Sequence, residues 1–392
     1  MGTENLQKIA VIGAGYSGLL TSTVLARLGY SVDIYEEHDK VGFPKHCTGL
    51  VSQEVVKFLE HISRDIIESQ FYKIKFIDEK TNRYLEIRLA SPVYRIDRVK
   101  TEKLLLNEAV RYGASIRYGH KIKGIRVKEN KVSLVASNGE QADYDIVIIA
   151  EGLGGGLRKS LGVLHTPIWS YGINLDYDIN DIAPEKNIIE IHVDSDIPGT
   201  LYGWRFTIAE KYVVVGGLSF DPLGLRRLIR NLSPAEKKRR EIYGGRVVHG
   251  PPLPCKKQGG SIFIIGDAAS MNKPLTGGGL YPVTVMARIL QDRINQGDSL
   301  QEALLQSYCT VENMLNKQYR FIRELLDSRA LSLLLSYASR LGLSNIVLEY
   351  DRHESVPRRV LKQKPLQSLL FGILILVTRP RLAYHMVRGM MH

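Results

Sequence analysis

The chain has 392 residues, 44% of them hydrophobic and 24% charged, with a formal net charge of +12. This describes a globular, mostly soluble protein long enough for one large or two to three smaller cored domains. The positive charge suits an anionic membrane surface or a phosphorylated substrate better than nucleic acid, because the longest basic run, Lys237-Lys-Arg-Arg240, accompanies no nucleic-acid fold signature. In chain order, residues 8–36 read as strand, helix and strand, with Gly29 closing the helix. A turn-rich loop follows at 41–49, then a helical stretch at about 51–68 and two alternating runs, 71–77 and 84–89, that form a hairpin. An amphipathic helix spans 101–112, and 115–118, 122–127 and 131–136 read as a small antiparallel sheet. The apolar run 145–150 is a strand buried on both faces, and alternating runs from about 165 to 220 form an inserted antiparallel sheet. A charged helix at 222–241 leads to a last buried strand, 261–266, and everything after about 298 reads as helical.

Cys47, Cys255 and Cys309 share no close spacing, which argues against a metal site and against a disulfide framework. The first strand begins within a few residues of the N-terminus, so the expected location is cytoplasmic. The apolar run 369–377 is too short to span a bilayer.

Two stretches carry chemistry. Gly13-Ala14-Gly15-Tyr-Ser17-Gly18 follows a strand and opens a helix, with Glu36 and Glu37 ending the next strand. Gly13 allows the tight turn, Gly15 lets a phosphate approach the backbone, and Gly18 lets helix and strand pack closely. The helix N-terminus offers N–H groups to a pyrophosphate, and Glu36 offers a carboxylate to ribose hydroxyls. About 250 residues on, a strand runs into Gly266-Asp267-Ala-Ala and then Thr276-Gly277-Gly278-Gly279-Leu280. Asp267 can accept from ribityl hydroxyls, and the glycine amides at a helix N-terminus suit the electron-rich pyrimidine edge of a reduced flavin. Together the two stretches turn a dinucleotide fingerprint into an FAD site. The strand end at Glu151-Gly152 approaches the adenine side, with the Glu151 side chain unassigned, and Arg98 ahead of its helix meets the pyrophosphate or makes a surface salt bridge.

These motifs resemble the FAD-dependent group that includes p-hydroxybenzoate hydroxylase. Within it, Gly42-x-Pro44-x-x-Cys47-x-Gly49 and Tyr202-x-Trp204-x-Phe206 resemble the geranylgeranyl reductase family and its archaeal branch acting on digeranylgeranylglycerophospholipids; Thr207 departs from the proline usual there. The resemblance covers about residues 8–300. It implies an α/β fold with a Rossmann-like FAD-binding domain (1–70, 95–165 and 245–298), an inserted antiparallel-sheet substrate domain (71–94 and 166–244) and a C-terminal helical region (299–392). It further implies saturation of C=C bonds in prenylated phospholipids or prenyl diphosphates by hydride from reduced flavin N5 plus a proton. The electron donor would be a ferredoxin-like protein or NAD(P)H.

In that reading Cys47, with Gly49 in its loop, faces the flavin and helps deliver a proton or shapes the pocket; its other reading is a buried small hydrophobe. Tyr202 is a second proton-donor candidate, and Trp204 and Phe206 wall a prenyl tunnel or serve as sheet-core aromatics. His46 tunes Cys47 and contacts substrate, or faces solvent. Two other functions share the sequence features: a flavin monooxygenase or halogenase of the same fold, and a non-catalytic flavin-binding protein recognising membranes or partners. In the tail, Lys364 precedes the apolar run and Arg379, Arg381 and Arg388 follow it, among Tyr384, His385 and Met386. Such a helix is either a peripheral membrane anchor or a buried core helix.

Overall fold

The computed structural model describes residues 7–129, 131–178, 184–234, 239–380 and 383–384; Lys237, Lys238, Arg381, His385, Met386 and Arg388 lie outside the described residues. The fold is α/β. A five-stranded parallel sheet has the order Ile262–Ile264, Ile146–Ile149, Lys8–Ile12, Ser31–Tyr35, Ser115–Arg117. Its two central strands, Lys8–Ile12 and Ile146–Ile149, are almost wholly apolar and buried because helices Tyr16–Arg27, Arg98–Arg111 and Leu280–Asn295 share the core. A three-stranded antiparallel sheet, Ile122–Val127, Val132–Ala136 and Gln141–Tyr144, adjoins it.

The second large sheet is mixed and nine-stranded. Its order is Arg239–Gly250, Ile168–Asp178, Tyr212–Ser219, Thr200–Ile208, Ile188–Val193, Ile67–Asp78, Arg83–Ile96 and Ile346–Leu348, with Leu50–Ser52 on Arg83–Ile96. Helix Pro222–Leu232 buries Leu225, Leu228, Ile229 and Leu232 against one face of this sheet. Helix Ser328–Arg340 brings Leu331 and Leu335 to the cluster on the other. Covered on both sides, Thr200–Ile208 is buried along most of its length. At Gly216 a side chain would meet the Trp204 indole, so glycine lets that ring lie across the neighbouring strand.

Several expectations are corrected. Ser115–Arg117 joins the parallel sheet beside Ser31–Tyr35 instead of the small antiparallel one; three residues are too few to show a period. Of the stretch 51–68 only Gln53–Leu59 is α-helical, because Ser63 accepts from the Asp65 amide in a separate short turn and the long strand begins at Ile67. The helix read over 222–241 ends at Leu232, where Pro234 disfavours helical backbone at Ser233, and the chain continues as strand Arg239–Gly250. The region after 298 contains Ile346–Leu348, which pairs in parallel with Arg83–Ile96. Cys255 and Cys309 form a disulfide, with Cα atoms 5.2 Å apart and a sequence separation of 54, against the expectation of none. Helix Leu300–Ile322 folds back onto the turn holding Cys255, a proximity that spacing cannot reveal. Among the described residues no helix is long and apolar enough to cross a membrane.

Candidate active site

The two glycine-rich stretches meet across one cleft of about 760 Å³. Gly13, at φ 104°, donates its amide to Tyr35 O (2.8 Å), which ties the turn to the neighbouring strand. A Cβ on Gly18 would lie inside the Gly13 carbonyl, so the helix can start this close to the strand only with glycine there. Gly15 is different: a Cβ there meets nothing within 4 Å and would project into open space. Ala14 lines the cleft, and its amide donates to Glu36 Oε2 at 2.7 Å. His38 donates its backbone amide to Glu36 Oε1 (3.0 Å) and brings its Nδ1 within 2.6 Å of the same oxygen. The Glu36 carboxylate is therefore fixed in place. Glu37 also lines the cleft and pairs with Lys121.

Opposite, Asp267 Oδ1 accepts from Asn272 Nδ2 (3.0 Å), and that amide also donates to Gly277 O (3.0 Å). Asn272 thus ties the acid to the glycine run, and Gly277 to Leu280 line the cleft. Ser17 Oγ sits where a Cβ on Gly266 would go, which brings the two motifs into contact. Glu151 and Gly152 border the cleft as well. The Glu151 side chain accepts from the amides of Leu157 (3.0 Å) and Arg158 (2.9 Å), so it closes the start of helix Gly156–Ser160.

Behind this segment His249 is buried. Pro274 O can only accept, so His249 Nδ1 donates to it (2.7 Å) and the bare Nε2 accepts from Ser170 Oγ (2.7 Å). Burial pushes the imidazole down to about 4. A base whose folded value lies below its ordinary 6.5 takes protons preferentially when unfolded, so its stability contribution is complete above pH 6.5 and is lost as the pH falls toward 4. Denaturant unfolding at pH 7 and pH 4.5 should differ by about 2–3 kcal/mol from this residue. His249→Gln should flatten that part of the difference.

Arg98 lines the cleft, stacks over the Tyr16 ring at 5.2 Å and pairs with Glu102. Burial is the largest single influence and opposes its charge, but Glu102, joined by Cys47 and Tyr16, outweighs it and holds the guanidinium above its ordinary range. It is therefore no surface salt bridge. Cys47 is half-buried on the loop after Ser31–Tyr35, and its Sγ accepts from the Gly49 amide at 3.4 Å. Gly49, at φ 76°, lies so close to the Ile96 carbonyl that a Cβ would collide with it. Cys47 borders both the main cleft and a second, polar chamber of about 200 Å³. His46 is exposed on the rim, with Nδ1 against Pro44 O (2.9 Å).

The three aromatics of Thr200–Ile208 separate. Trp204 borders the cleft and donates Nε1–H to Asn174 Oδ1 (3.1 Å). Phe206 is fully buried edge-on to Phe71, 5.5 Å between centroids, and contributes to the sheet core, which corrects its reading as a tunnel wall. Tyr202 is buried with its hydroxyl donating to Leu275 O (3.1 Å), outside the residues that border the cleft. Burial holds that phenol well above its ordinary range, so it is a poor acid. Sequence reasoning missed Lys273, Tyr350 and Asp351, which complete the wall beside the glycine run. The last two come from a region with no motif. Asn272 could have been found, being a side-chain donor five residues after Asp267.

The residues fit an elongated, polar, phosphate-bearing cofactor. Arg98 Nε, Asn272 Oδ1 and Thr276 Oγ1 are buried without partners in the protein, and all three residues border the cleft that the open Gly15 turn also lines. Among the described residues no group of His, Cys, Asp and Glu could hold a metal ion.

Comparison with known proteins agrees. The family described as "FAD binding domain" matches residues 7–223, more than half of the chain. A digeranylgeranylglycerophospholipid reductase of Methanospirillum hungatei JF-1 is 25% identical over 325 residues, 76% of this chain and 79% of that protein. A second relative, digeranylgeranylglycerophospholipid reductase 2 of Methanopyrus kandleri, is 27% identical over 308 residues, covering 72% of this chain and 75% of its own. The crystal structure of a geranylgeranyl bacteriochlorophyll reductase-like protein from Thermoplasma acidophilum superposes with a TM-score of 0.73 at 18% identity, covering 94% of this chain and 99% of that one. With the glycine turns, the fixed Glu36 and Asp267 carboxylates and the family match in agreement, this chain belongs to the FAD binding domain family and is an FAD-dependent oxidoreductase.

Proposed function

We propose that the protein saturates C=C bonds of geranylgeranyl chains in isoprenoid membrane lipids or their diphosphate precursors. The observation that carries this reading is the single cleft in which the FAD cradle continues into an apolar wall of Trp204, Leu218, Val247 and Tyr350 at Cys47. The names of its relatives support the substrate class. FAD, when reduced, supplies the hydride. In this reading Gly13, Gly15, Gly18 and Arg98 hold the pyrophosphate, Glu36 the adenosine ribose and Asp267 the ribityl chain. Gly277 to Gly279 face the flavin ring, and the apolar wall excludes water from an alkene that lacks an electron-withdrawing group. Cys47 holds the proton at Sγ, and electrons come from a ferredoxin-like carrier or reduced nicotinamide.

The test is anaerobic: reduce the holoprotein with dithionite, add geranylgeranylated phospholipid or geranylgeranyl diphosphate, and look by mass spectrometry for additions of two hydrogens. No mass gain with any prenyl substrate sinks the reading. Oxygen-dependent turnover with NAD(P)H would instead favour a monooxygenase or halogenase, which have the same fold.

The tail suits such a substrate. Helix Pro365–Thr378 packs through Phe371 and Ile375 and leaves Leu366, Leu369, Leu370, Ile373, Leu376 and Val377 exposed. Lys364 and Arg379 bracket it, and Arg358, Arg359 and Lys362 precede it on helix Val356–Gln363. We infer a peripheral contact with anionic lipid, the leucines entering the acyl boundary and the cations meeting head groups. Co-sedimentation with phosphatidylglycerol vesicles should weaken ~10-fold or more in Leu369→Asp/Ile373→Asp. Equal binding by variant and parent would exclude this helix as the contact.

A further inference from the structure

The pair Lys273–Asp351 has no place in the roles assigned so far. Both side chains are almost fully buried, 3% and 4% exposed, and Lys273 Nζ lies 2.5 Å from Asp351 Oδ1. The ammonium also sits over the Tyr350 ring, 4.2 Å from its centroid. Gln318 Nε2 fixes the acid's backbone by donating to Asp351 O (3.1 Å), while Asp351 Oδ2 is buried without a partner. A buried ion pair is seldom a net gain in stability over apolar residues of the same size, so its position needs another reason.

That position is the glycine run. Lys273 N donates to Gly278 O (3.1 Å), and Gly277 N donates to Lys273 O (2.8 Å), so the lysine's backbone closes the loop that presents Gly277 to Gly279. A Cβ placed on Gly278 would lie 3.0 Å from Lys273 Cε and 3.7 Å from Nζ, nearer than to any atom of Asp351. Lys273 and Asp351 both border the cleft, and helix Leu280–Asn295, with its positive N-terminal end, starts directly after Gly279. A cation and a helix N-terminus thus lie at the glycine run, whose Cβ positions are taken by Val247, Lys273 and Asn272.

We propose that Lys273, held in place by Asp351, raises the reduction potential of the flavin bound against Gly277 to Gly279. The inference rests on the FAD placement given under Proposed function. Uptake of two electrons and one proton leaves the isoalloxazine one unit more negative. A fixed ammonium at the glycine run therefore binds the reduced form more tightly than the oxidised one, and Lys273 is a positioning residue that acts on the ring's charge.

The test uses FAD-loaded protein, titrated anaerobically with dithionite against reference dyes. Lys273→Met should weaken binding of reduced FAD relative to oxidised FAD ~10-fold, which lowers the midpoint potential by about 30 mV for a two-electron couple. Because that variant leaves Asp351 buried and unpaired, K273M/D351N is made beside it. It removes both charges, and its potential should fall between those of the parent and Lys273→Met. A double variant with a potential at or above the parent's overturns the proposal. So does an equal loss of affinity for both redox states, the signature of a merely structural role. A parent protein that binds no FAD would instead sink the cofactor placement itself.

Discussion

Gly15→Val will fold and lose FAD, whereas Gly18→Ala will not fold properly. The two glycines are three residues apart in one turn, yet they meet opposite surroundings. Gly15 has φ −78° and ψ −179°, a conformation open to any residue, and its Cβ direction is empty of protein atoms. A valine there fills the space that the phosphate reading requires. The FAD dissociation constant should rise ~100-fold or more, about 2.7 kcal/mol, as followed by quenching of flavin fluorescence. The melting temperature should stay within about two degrees of the FAD-free parent, because no core contact changes. At Gly18 the added methyl would overlap the Gly13 carbonyl oxygen, a backbone atom in the tightest part of the first strand-to-helix crossing. Relief requires moving helix Tyr16–Arg27 off its strand, which should cost about 3 kcal/mol or more and appear as loss of the cooperative melt. Normal FAD binding by Gly15→Val would remove the pyrophosphate from this turn.

This contrast also explains what the sequence could reveal. Motifs whose function depends on backbone shape are local, so Gly13 to Gly18 and Gly266 to Gly279 were readable as glycine patterns beside apolar runs. The FAD assignment followed because the two motifs demand one ligand. Side-chain roles set by distant packing were not readable. Tyr202, Trp204 and Phe206 alternate identically in sequence, yet Trp204 alone reaches the cleft, since its ring crosses to Gly216 while Phe206 turns to Phe71. The Cys255–Cys309 disulfide and the Lys273–Asp351 pair join segments 54 and 78 residues apart through the packing of the C-terminal helices. Glu151 occupies a motif position but spends its carboxylate on a helix N-terminus, a use that only the following turn's geometry discloses.

The same packing sharpens the proton question, where Cys47→Ala should have the largest catalytic effect. In the proposed reaction each alkene saturated consumes a hydride and a proton, and an apolar wall that kept water from the alkene would keep solvent protons from it as well. Cys47 stands between that wall and the second chamber, which is lined by Arg95, Arg98, Glu102, Asp176 and Tyr243. Burial pushes Asp176 up to about 6, opposed in part by Arg95, and Tyr243 OH lies 3.3 Å from its Oδ1. The chamber therefore holds a group that exchanges protons near neutral pH on the far side of the thiol. Removing the thiol should slow single-turnover saturation of the prenyl chain ~100-fold, the usual weight of one positioned proton donor, with FAD affinity unchanged. Asp176→Asn should slow it less and should remove the inflection near pH 6 from the rate profile. Tyr202→Phe provides the contrast: its hydroxyl is committed to Leu275 O and its acidity is suppressed by burial, so the variant should lose about 1 kcal/mol of stability and almost no rate. A Tyr202→Phe defect as deep as that of Cys47→Ala would move the proton to the tyrosine. A parental rate in Cys47→Ala would reduce the cysteine to a small buried side chain that shapes its loop.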